Sequence, residues 1–297
     1  MTQQETFGGH WTQRKLELLK KYLSAWRRIF ERNARARFFE TNYVDAFAGT
    51  GEIPRPKLKG LFEGDPHMME VEQEFRKGSV RRALEVDPPF HHYIFIEKDR
   101  KKCDELRALQ NEFSGRDIKV VNDDANTALL EWCRGLDTKR QRAVVFLDPF
   151  GASVEWRAIE AIADTKAVDL WILFPYGAIN RMLVNDRMPP KSWADLLTRI
   201  LGTEEWKTEF YSTSSWKSLI TDEPVKRVYR TADQEKITKF FVKRLQKKFA
   251  AVADPGFLYN SRSLLFVLLF AAGNEKGASA GLKIANDLLR DLNESLF

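Results

Sequence analysis

Apolar residues along the chain follow two spacings in alternation, which predicts alternating strands and helices. Short runs rich in β-branched and aromatic residues are nearly all apolar, as is typical of strands buried on both faces of a parallel sheet. The predicted strands are Tyr43–Phe47, Tyr93–Glu97, Ile118–Val121, Ala143–Leu147 and Val168–Phe174. Helical spacing between them predicts the helices Arg100–Phe113, Thr127–Arg134 and Val154–Thr165. The pattern predicts an α/β fold with a Rossmann-like, doubly wound, mostly parallel sheet.

The two ends of the chain extend this pattern. Near the start, Leu16, Leu19 and Leu23 recur at helical spacing and predict a helix over Trp11–Phe39. Near the end, a helical segment and then an apolar run, Ser263–Ala272, complete the predicted sheet.

Two stretches interrupt the alternation and suggest a domain organisation. Residues 52–76 contain three prolines and two glycines, a composition that favours an inserted loop. Residues 189–230 predict a helical insertion subdomain with a small core of its own; the aromatic residues of that core are Trp193, Trp206, Tyr211 and Trp216. The predicted units are therefore a basic N-terminal helix over 1–40, a sheet domain over 41–188 and 231–297, and these two insertions.

Composition excludes several classes of protein. With 297 residues, 43% of them apolar, the chain is long enough for a full-sized core and unlike disordered or fibrous sequences. Its longest apolar run, Leu264–Ala272, is too short to cross a membrane, and the start lacks a signal peptide, so we expect a cytoplasmic protein without a membrane partner. Cys103 and Cys133 have no metal-ligand spacing, so neither a disulfide framework nor a metal site is expected.

The charge permits a polyanionic partner without requiring one. The chain has 48 Lys and Arg against 42 Asp and Glu, a net charge of +6. Residues 11–37 alone carry nine Lys and Arg and two Glu, which exceeds the excess of the whole protein. This basic helix has either a solvated face or a nucleic-acid surface.

Polar residues follow the predicted strands, at the edge where a parallel sheet binds its ligands. The first strand leads into the glycine loop Asp45–Gly51, which allows close approach of the backbone to a ligand. Glu97 ends the second strand, where a carboxylate accepts hydrogen bonds from a ribose in doubly wound nucleotide sites. Asp123 and Asp124 follow the third strand, and Asp148 follows the fourth.

The motifs DAFAGTG, IEKD, DDAN and LDPFG, in this order, resemble those of class I S-adenosylmethionine-dependent methyltransferases. The whole chain is similar to a bacterial family called three-Cys-motif partner protein. That resemblance implies S-adenosylmethionine as cofactor and a partner protein that carries a three-cysteine motif.

The chain also resembles ribosomal RNA adenine-N6 methyltransferases. The matching elements are His10 and Lys15, the loop Asp45–Gly51, the segment Lys77–Val80 and the turn Asp148–Gly151. Both prolines that flank Gly-Ser in that family are absent here, and Phe150 replaces the second proline of its DPPY motif.

These resemblances imply a role for each site residue. The cofactor-binding residues would be Lys15 and Ser79 for the methionine carboxylate, Asp45, Phe47, Gly49 and Gly51 around the amino-acid portion, Glu97 for the ribose, and Asp124, with Asp123 as an alternative, for the adenine amine. The catalytic residues would be Asp148, Pro149 and Phe150, which hold a base amino group and stack on its ring.

Three functions are compatible with these residues. The first is methyl transfer to an exocyclic amino group of a nucleic-acid base. The second is a non-catalytic cofactor-binding module that acts with a partner protein, and the third is methyl transfer to a small molecule or a protein. A basic trough favours nucleic acid; its predicted residues, beside the first helix, are Lys226, Arg227, Arg230, Lys239, Lys243 and Arg244.

Overall fold

The computed structural model describes residues 9–49, 78–149, 151–217, 224–259 and 263–294, with side chains omitted for 9–15, 216–217 and 224–226. The predicted loop over 52–76 and the site residues Gly51 and Phe150 lie outside these ranges. Within them, no helix combines the length and the apolar character that a membrane crossing demands.

The main sheet contains eight strands: β1 (Glu40–Asp45), β2 (His92–Glu97), β3 (Ile118–Asn122), β4 (Gln141–Leu147), β5 (Val168–Phe174), β8 (Ala251–Val252), β9 (Gly256–Tyr259) and β10 (Leu264–Ala272). Their order is β3-β2-β1-β4-β5-β10-β8, and β9 pairs with β10. Strands β1 to β5 are parallel, whereas β10 is antiparallel to both β5 and β8. A separate antiparallel hairpin consists of β6 (Tyr211–Lys217) and β7 (Pro224–Arg230).

Helices cover both faces of this sheet. They are α1 (Gly9–Arg32), α2 (residues 78–84), α3 (Arg100–Glu112), α4 (Ala125–Gly135), α5 (Trp156–Asp164), α6 (Tyr176–Met182), α7 (Lys191–Leu201), α8 (Trp206–Phe210), α9 (Gln234–Gln246) and α10 (Ala278–Glu294). One core contains residues of α1, α2 and α10, and the other contains residues of α4 to α9. The arrangement is the predicted Rossmann-like, doubly wound, mostly parallel sheet.

The strand order creates a crevice at one edge. From β1 the sheet continues to β2 and β3 on one side and to β4 and β5 on the other, so the direction of winding reverses between β1 and β4. Loops diverge at such a point and leave space for a ligand beyond the carboxyl ends of the strands. Asp45 ends β1 beside Phe146 of β4, so Asp148, two residues later, projects to the same face as Asp45.

The N-terminal helix is shorter than its pattern predicts. Its leucines are buried as expected, but α1 ends at Arg32 instead of Phe39. The side chain of Asn33 accepts a hydrogen bond from the Arg35 amide, and its carbonyl accepts one from the Arg37 amide. These local bonds replace the helical ones and form an ordered turn before β1.

The insertion over 189–230 is only partly helical and has no separate core. Its first half forms α7 and α8, whereas its second half is the β6–β7 hairpin, which contains Tyr211 and Trp216. Trp206 and Tyr211 pack into the same apolar cluster as β4 and β5. The expected small core is therefore part of the main one.

A half-buried carboxylate at the amino edge of the sheet, Asp169, holds α1 in place. Asp169 Oδ2, near the start of β5, accepts hydrogen bonds from Trp26 Nε1 at 2.9 Å and from the Tyr22 hydroxyl at 3.3 Å. Its Oδ1 accepts a hydrogen bond from the Gly273 amide after β10, at 3.2 Å. Burial raises the pKa of Asp169, while these donors lower it.

Candidate active site

The loop after β1 lies between the ends of two neighbouring strands. The Ala46 amide donates to the Phe146 carbonyl of β4 at 3.2 Å, and the Ala48 amide donates to the Ile96 carbonyl of β2 at 3.1 Å. These bonds fix the backbone of the glycine loop across the crevice at the carboxyl edge.

Asp45 organises this loop from below. It is fully buried, and its Oδ1 accepts a hydrogen bond from the Phe47 amide at 3.2 Å. Its Oδ2 accepts a hydrogen bond from Ser79 Oγ at 2.8 Å, which joins α2 to the loop. Asp45 thus orders the loop, and Ser79 Oγ is its hydrogen-bond donor from α2. The predicted contacts of Asp45 and Ser79 with the cofactor stay predictions.

Gly49 and Glu97 lie in direct contact where β1 and β2 end. A β-carbon added to Gly49 would lie 2.6 Å from Glu97 Oε2 and 3.1 Å from Glu97 Cδ. A side chain at this position would have to displace the Glu97 carboxylate, so glycine allows the loop to lie this close to it. The sequence placed both residues in one site, and the structure brings them together.

Glu97 is held in position by the backbone of the next turn. Its carboxylate is 5% exposed, and Oε1 accepts a hydrogen bond from the Asp99 amide at 2.7 Å. Within the described residues it forms no ion pair with Lys98 or Arg100, the structural alternative for an acidic residue there. The Oε2 atom faces Gly49 and the crevice.

Asp124 caps a helix beside the site. Its Oδ1 accepts hydrogen bonds from the Asn126 and Thr127 amides at the start of α4. Its Oδ2 lies 3.8 Å from Lys98 Nζ, and the side chain is partly exposed. Asp123 accepts a hydrogen bond from the Asp124 amide at 2.7 Å. Capping is thus the observed role of Asp124, and one of its oxygens stays at the surface.

Asn126 links α4 to the loop that follows β4. Its Nδ2 donates to the Ser153 carbonyl at 3.0 Å, and its Oδ1 accepts from the Glu155 amide at 2.9 Å. The residue is buried. Sequence reasoning missed this role, although Asn126 belongs to the DDAN motif, because the partner loop is 27 residues away in sequence.

Asp148 and Asp45 lie on one face of the sheet with a buried tyrosine. Asp148 directly follows β4 and is 1% exposed. Burial, followed by the negative charges of Asp45 and Asp148, raises the pKa of Tyr43 well above its ordinary value. The Tyr43 phenol therefore stays protonated beside both carboxylates. A tyrosine inside an apolar strand gives no sequence signal for this position.

Pro149 lines a small apolar pocket that continues from the crevice. The pocket contains side chains from the loop after β4, from the end of β5 and from α9; they are Pro149, Ala152, Val154, Phe174, Pro175 and Phe241. Gly151 has a φ of +60°, a conformation that favours glycine and turns the chain sharply after the LDPFG motif. The turn places Pro149 between Asp148 and the pocket.

Part of the predicted site lies outside the described atoms. Lys15 belongs to α1, but its side chain is not described, and neither are Gly51 and Phe150. Their roles stay predictions. Among the residues that the structure describes, no group of three or more His, Cys, Asp or Glu side chains could hold a metal ion. Both cysteines are free, and burial raises the pKa of Cys133 to about 12.

The predicted basic trough is largely occupied by internal contacts. The Arg230 guanidinium donates to the carbonyls of Ala232, Asn180 and Leu183. Arg244 lies 4.5 Å from the centre of the Trp156 ring, and Lys239 forms an ion pair with Glu235. These three side chains have internal partners, whereas Arg227 and Lys243 are exposed, so a nucleic-acid surface here stays a prediction.

Comparisons with known proteins give distant likenesses only. Neither a protein-family model nor a curated protein matches the sequence significantly. Among solved structures, "Putative methyltransferase yhhF from Escherichia coli" is 15% identical, covers 69% of this chain and 84% of its own, and has a TM-score of 0.27. The "putative methylase HI0767 from Haemophilus influenzae" is 14% identical with a TM-score of 0.28, covering 75% of this chain and 99% of its own.

A third structure, "a putative RNA methyltransferase PH1948 from Pyrococcus horikoshii", is 15% identical and has a TM-score of 0.25. It covers 72% of this chain and 80% of its own. At these TM-scores the likenesses carry no functional argument. The fold is assigned from the strand order, and the candidate site from the contacts at the carboxyl edge of the sheet.

Proposed function

We propose that this chain is an S-adenosylmethionine-dependent methyltransferase that modifies an exocyclic amino group of a nucleic-acid base. The observation that carries the proposal is the contact between Gly49 and Glu97 beside the point where the sheet reverses its winding. A glycine backbone against a buried carboxylate is the arrangement that a nucleoside cofactor needs, since the carboxylate accepts from its ribose hydroxyls. The proposal includes a cytoplasmic location, where this cofactor and nucleic acid are both present.

The described residues fit this cofactor. Because residue 49 is glycine, the loop lies directly against the Glu97 carboxylate, where a β-carbon would come within 2.6 Å of Oε2. The loop that holds Gly49 is tied to β2, β4 and Asp45, so the site is formed before a ligand binds. When bound, S-adenosylmethionine supplies an electrophilic methyl group on a sulfonium sulfur.

Asp148 is the residue that acts on the acceptor in this proposal. An exocyclic amine is a weak nucleophile because its lone pair is delocalised into the ring. Asp148 and the Pro149 carbonyl accept its two hydrogens and orient the nitrogen for in-line attack. A carboxylate oxygen of Asp148 would take the proton that the nitrogen loses when it accepts the methyl group.

Calorimetry with S-adenosylhomocysteine and transfer of labelled methyl groups into total RNA or DNA test this function. We expect the wild type and Asp148→Asn to bind S-adenosylhomocysteine equally. Methyl transfer by Asp148→Asn should fall by about 100- to 1,000-fold, the usual loss when a preorganised polar group is removed.

Three results contradict parts of the proposal. Absence of S-adenosylhomocysteine binding removes the cofactor, and equal transfer by both proteins removes Asp148 from the mechanism. If the protein binds the cofactor but transfers no methyl group to nucleic acid, two functions remain: a non-catalytic module that acts with a partner protein, and a methyltransferase for other acceptors. Labelling of a small molecule or a protein would favour the methyltransferase.

A further inference from the structure

The amino edge of the main sheet carries an exposed aromatic ring among exposed cations. Phe38 is 63% exposed, whereas the two other exposed large apolar side chains of the described residues, Tyr229 and Tyr259, are each 38% exposed. Around Phe38 we define the amino-edge patch as Phe38 together with the exposed side chains of Arg32, Arg35, Arg37, Lys139 and Arg140.

Backbone and ring contacts hold the two segments of the patch together. The Glu40 amide donates to the Arg140 carbonyl at 2.9 Å, which joins the turn before β1 to the turn before β4. The Phe38 ring lies 4.1 Å from the ring of Phe39, and Phe39 lies 3.7 Å below the guanidinium of Arg142. Phe38 therefore rests on a fixed support with much of its surface open to solvent.

The cations of the patch are available for a ligand. Within the described residues, none of the five forms an ion pair with a carboxylate. Among the acids close in sequence, Glu40 lies 3.7 Å from His92 and Asp137 accepts from the Lys139 amide. Glu31, next to Arg32, is exposed. An open aromatic face surrounded by unpaired cations is the combination that binds unpaired bases and their phosphates.

A second charged region of the surface suits a nucleic acid less well. The groove between α8 and α9 has a volume of about 430 Å³, and five cations and four acids line it. The acids are Glu205, Glu209, Asp233 and Glu235. A phosphate backbone would meet these carboxylates. The amino-edge patch also has exposed acids close to it in sequence, Glu31, Glu40 and Asp137, but it adds an aromatic ring that is 63% exposed.

We propose that the amino-edge patch is a binding surface for single-stranded nucleic acid, with a base stacked on Phe38 and phosphates paired with the surrounding arginines. Only one part of this inference rests on the proposed function, namely that the bound strand is also the methyl acceptor. The patch and Asp148 lie at opposite edges of the sheet. The seven residues of β4 separate them by about 23 Å. A strand that occupies both regions needs about seven stacked nucleotides.

Fluorescence anisotropy with labelled 20-nucleotide single strands, without cofactor, tests the patch directly. We expect Phe38→Ala to weaken binding about tenfold, Phe38→Trp to preserve it and Phe38→Leu to weaken it like alanine. Tyr229→Ala, a second exposed aromatic, serves as the matched control and should leave the affinity unchanged. Comparing the affinities for RNA, DNA and duplex versions of one sequence shows which kind of nucleic acid the patch prefers.

Salt dependence provides an independent measurement. Arg35→Gln should lower the slope of log affinity against log salt by about 0.7, the value for one phosphate contact on a single strand. Arg199→Gln, an exposed arginine on α7, should leave the slope unchanged.

Methyl transfer then separates this inference from the proposed function. With acceptors longer than about seven nucleotides, Phe38→Ala should raise KM and leave kcat unchanged. Wild-type affinity in folded Phe38→Ala and Arg35→Gln overturns the inference. So does equal strand binding by Phe38→Leu and Phe38→Trp, because no base then stacks on an aromatic ring at this position. Strand binding without methyl transfer contradicts the proposed function alone.

Discussion

At the carboxyl edge of the main sheet three carboxylates are buried, whereas at the amino edge many cations are exposed. Asp45, Glu97 and Asp148 are each 5% exposed or less. At the opposite edge, Arg35, Arg37 and Arg140 are exposed, and so is the Phe38 ring. The net charge of +6 is therefore unevenly distributed. The chain has an enclosed acidic edge suited to chemistry and an open cationic edge suited to a polyanion.

Helix α1 connects these two edges. Near its start, Leu16 packs against α2, where a β-carbon on Gly78 would lie 2.4 Å from Leu16 Cδ1. Ten residues later, Trp26 donates to Asp169 at the amino edge. One rigid helix thus contacts the element that holds Ser79 beside Asp45 and the edge that holds the patch. Both regions depend on its position.

The largest expected effect on cofactor affinity comes from Gly49→Ala at the carboxyl edge. The added β-carbon would displace the Glu97 carboxylate, which lies 2.6 Å from it. One hydrogen bond to a charged group contributes about 1.5–3 kcal/mol, so S-adenosylhomocysteine should bind at least about tenfold more weakly by calorimetry. Gly135→Ala, where no atom lies within 4 Å, is the control. Equal affinities in wild type and Gly49→Ala would contradict the close approach.

Asn126→Ala tests whether the loop after β4 belongs to the site. Losing the bonds to Ser153 and Glu155 should cost about 2 kcal/mol in the free energy of unfolding, measured in urea. Asn293→Ala removes the same two kinds of bond between α10 and β9. Both variants should lose similar stability, but only Asn126→Ala should slow methyl transfer. A similar loss of activity in both variants would separate this loop from the catalytic region.

Asp169→Asn tests how the carboxylate at the amino edge makes the free energy of unfolding depend on pH. Because the pKa of Asp169 is raised in the folded state, protonation favours folding. Wild type should therefore gain stability relative to Asp169→Asn as pH falls through the folded pKa towards about 4. The slope is at most about 1.4 kcal/mol per pH unit. Urea unfolding across this range measures the difference, and parallel curves for the two proteins would rule out the raised pKa.

The sequence predicts the fold well where both faces of a strand are buried. The residues of β5 form a continuous apolar run, and its predicted bounds, Val168–Phe174, match the structure. Strands β8 and β9 were missed because they have two and four residues, too few for a period to be recognised. The hairpin of β6 and β7 was predicted as helix because its strands are polar and lack alternating apolar residues.

The site is predictable from sequence where one motif contains both partners. Asp45 and the Phe47 amide lie two residues apart, so the bond between them follows from the glycine-loop motif. Tyr43 was missed because its proximity to Asp148 depends on the register of β1 against β4, over 100 residues apart in the chain. The amino-edge patch does not follow from the sequence pattern either. The pattern predicts a helix through Arg35 and Arg37, whereas Asn33 begins a turn there.

Arg142→Lys has the smallest expected effect. It tests whether the contact between Arg142 and Phe39 contributes to stability without contributing to strand affinity. The guanidinium lies 3.7 Å from the Phe39 ring, and its Nη1 donates to the carbonyls of Thr138 and Gln141. Lysine keeps the charge but not the planar stacking, so the free energy of unfolding should fall by about 0.5–1 kcal/mol. Arg157→Lys, an exposed arginine paired with Glu155, should change it by less than about 0.5 kcal/mol. Because Phe38 keeps its own contact with Phe39, strand affinity should change less than twofold. A tenfold loss of affinity in Arg142→Lys would instead make Arg142 part of the binding surface.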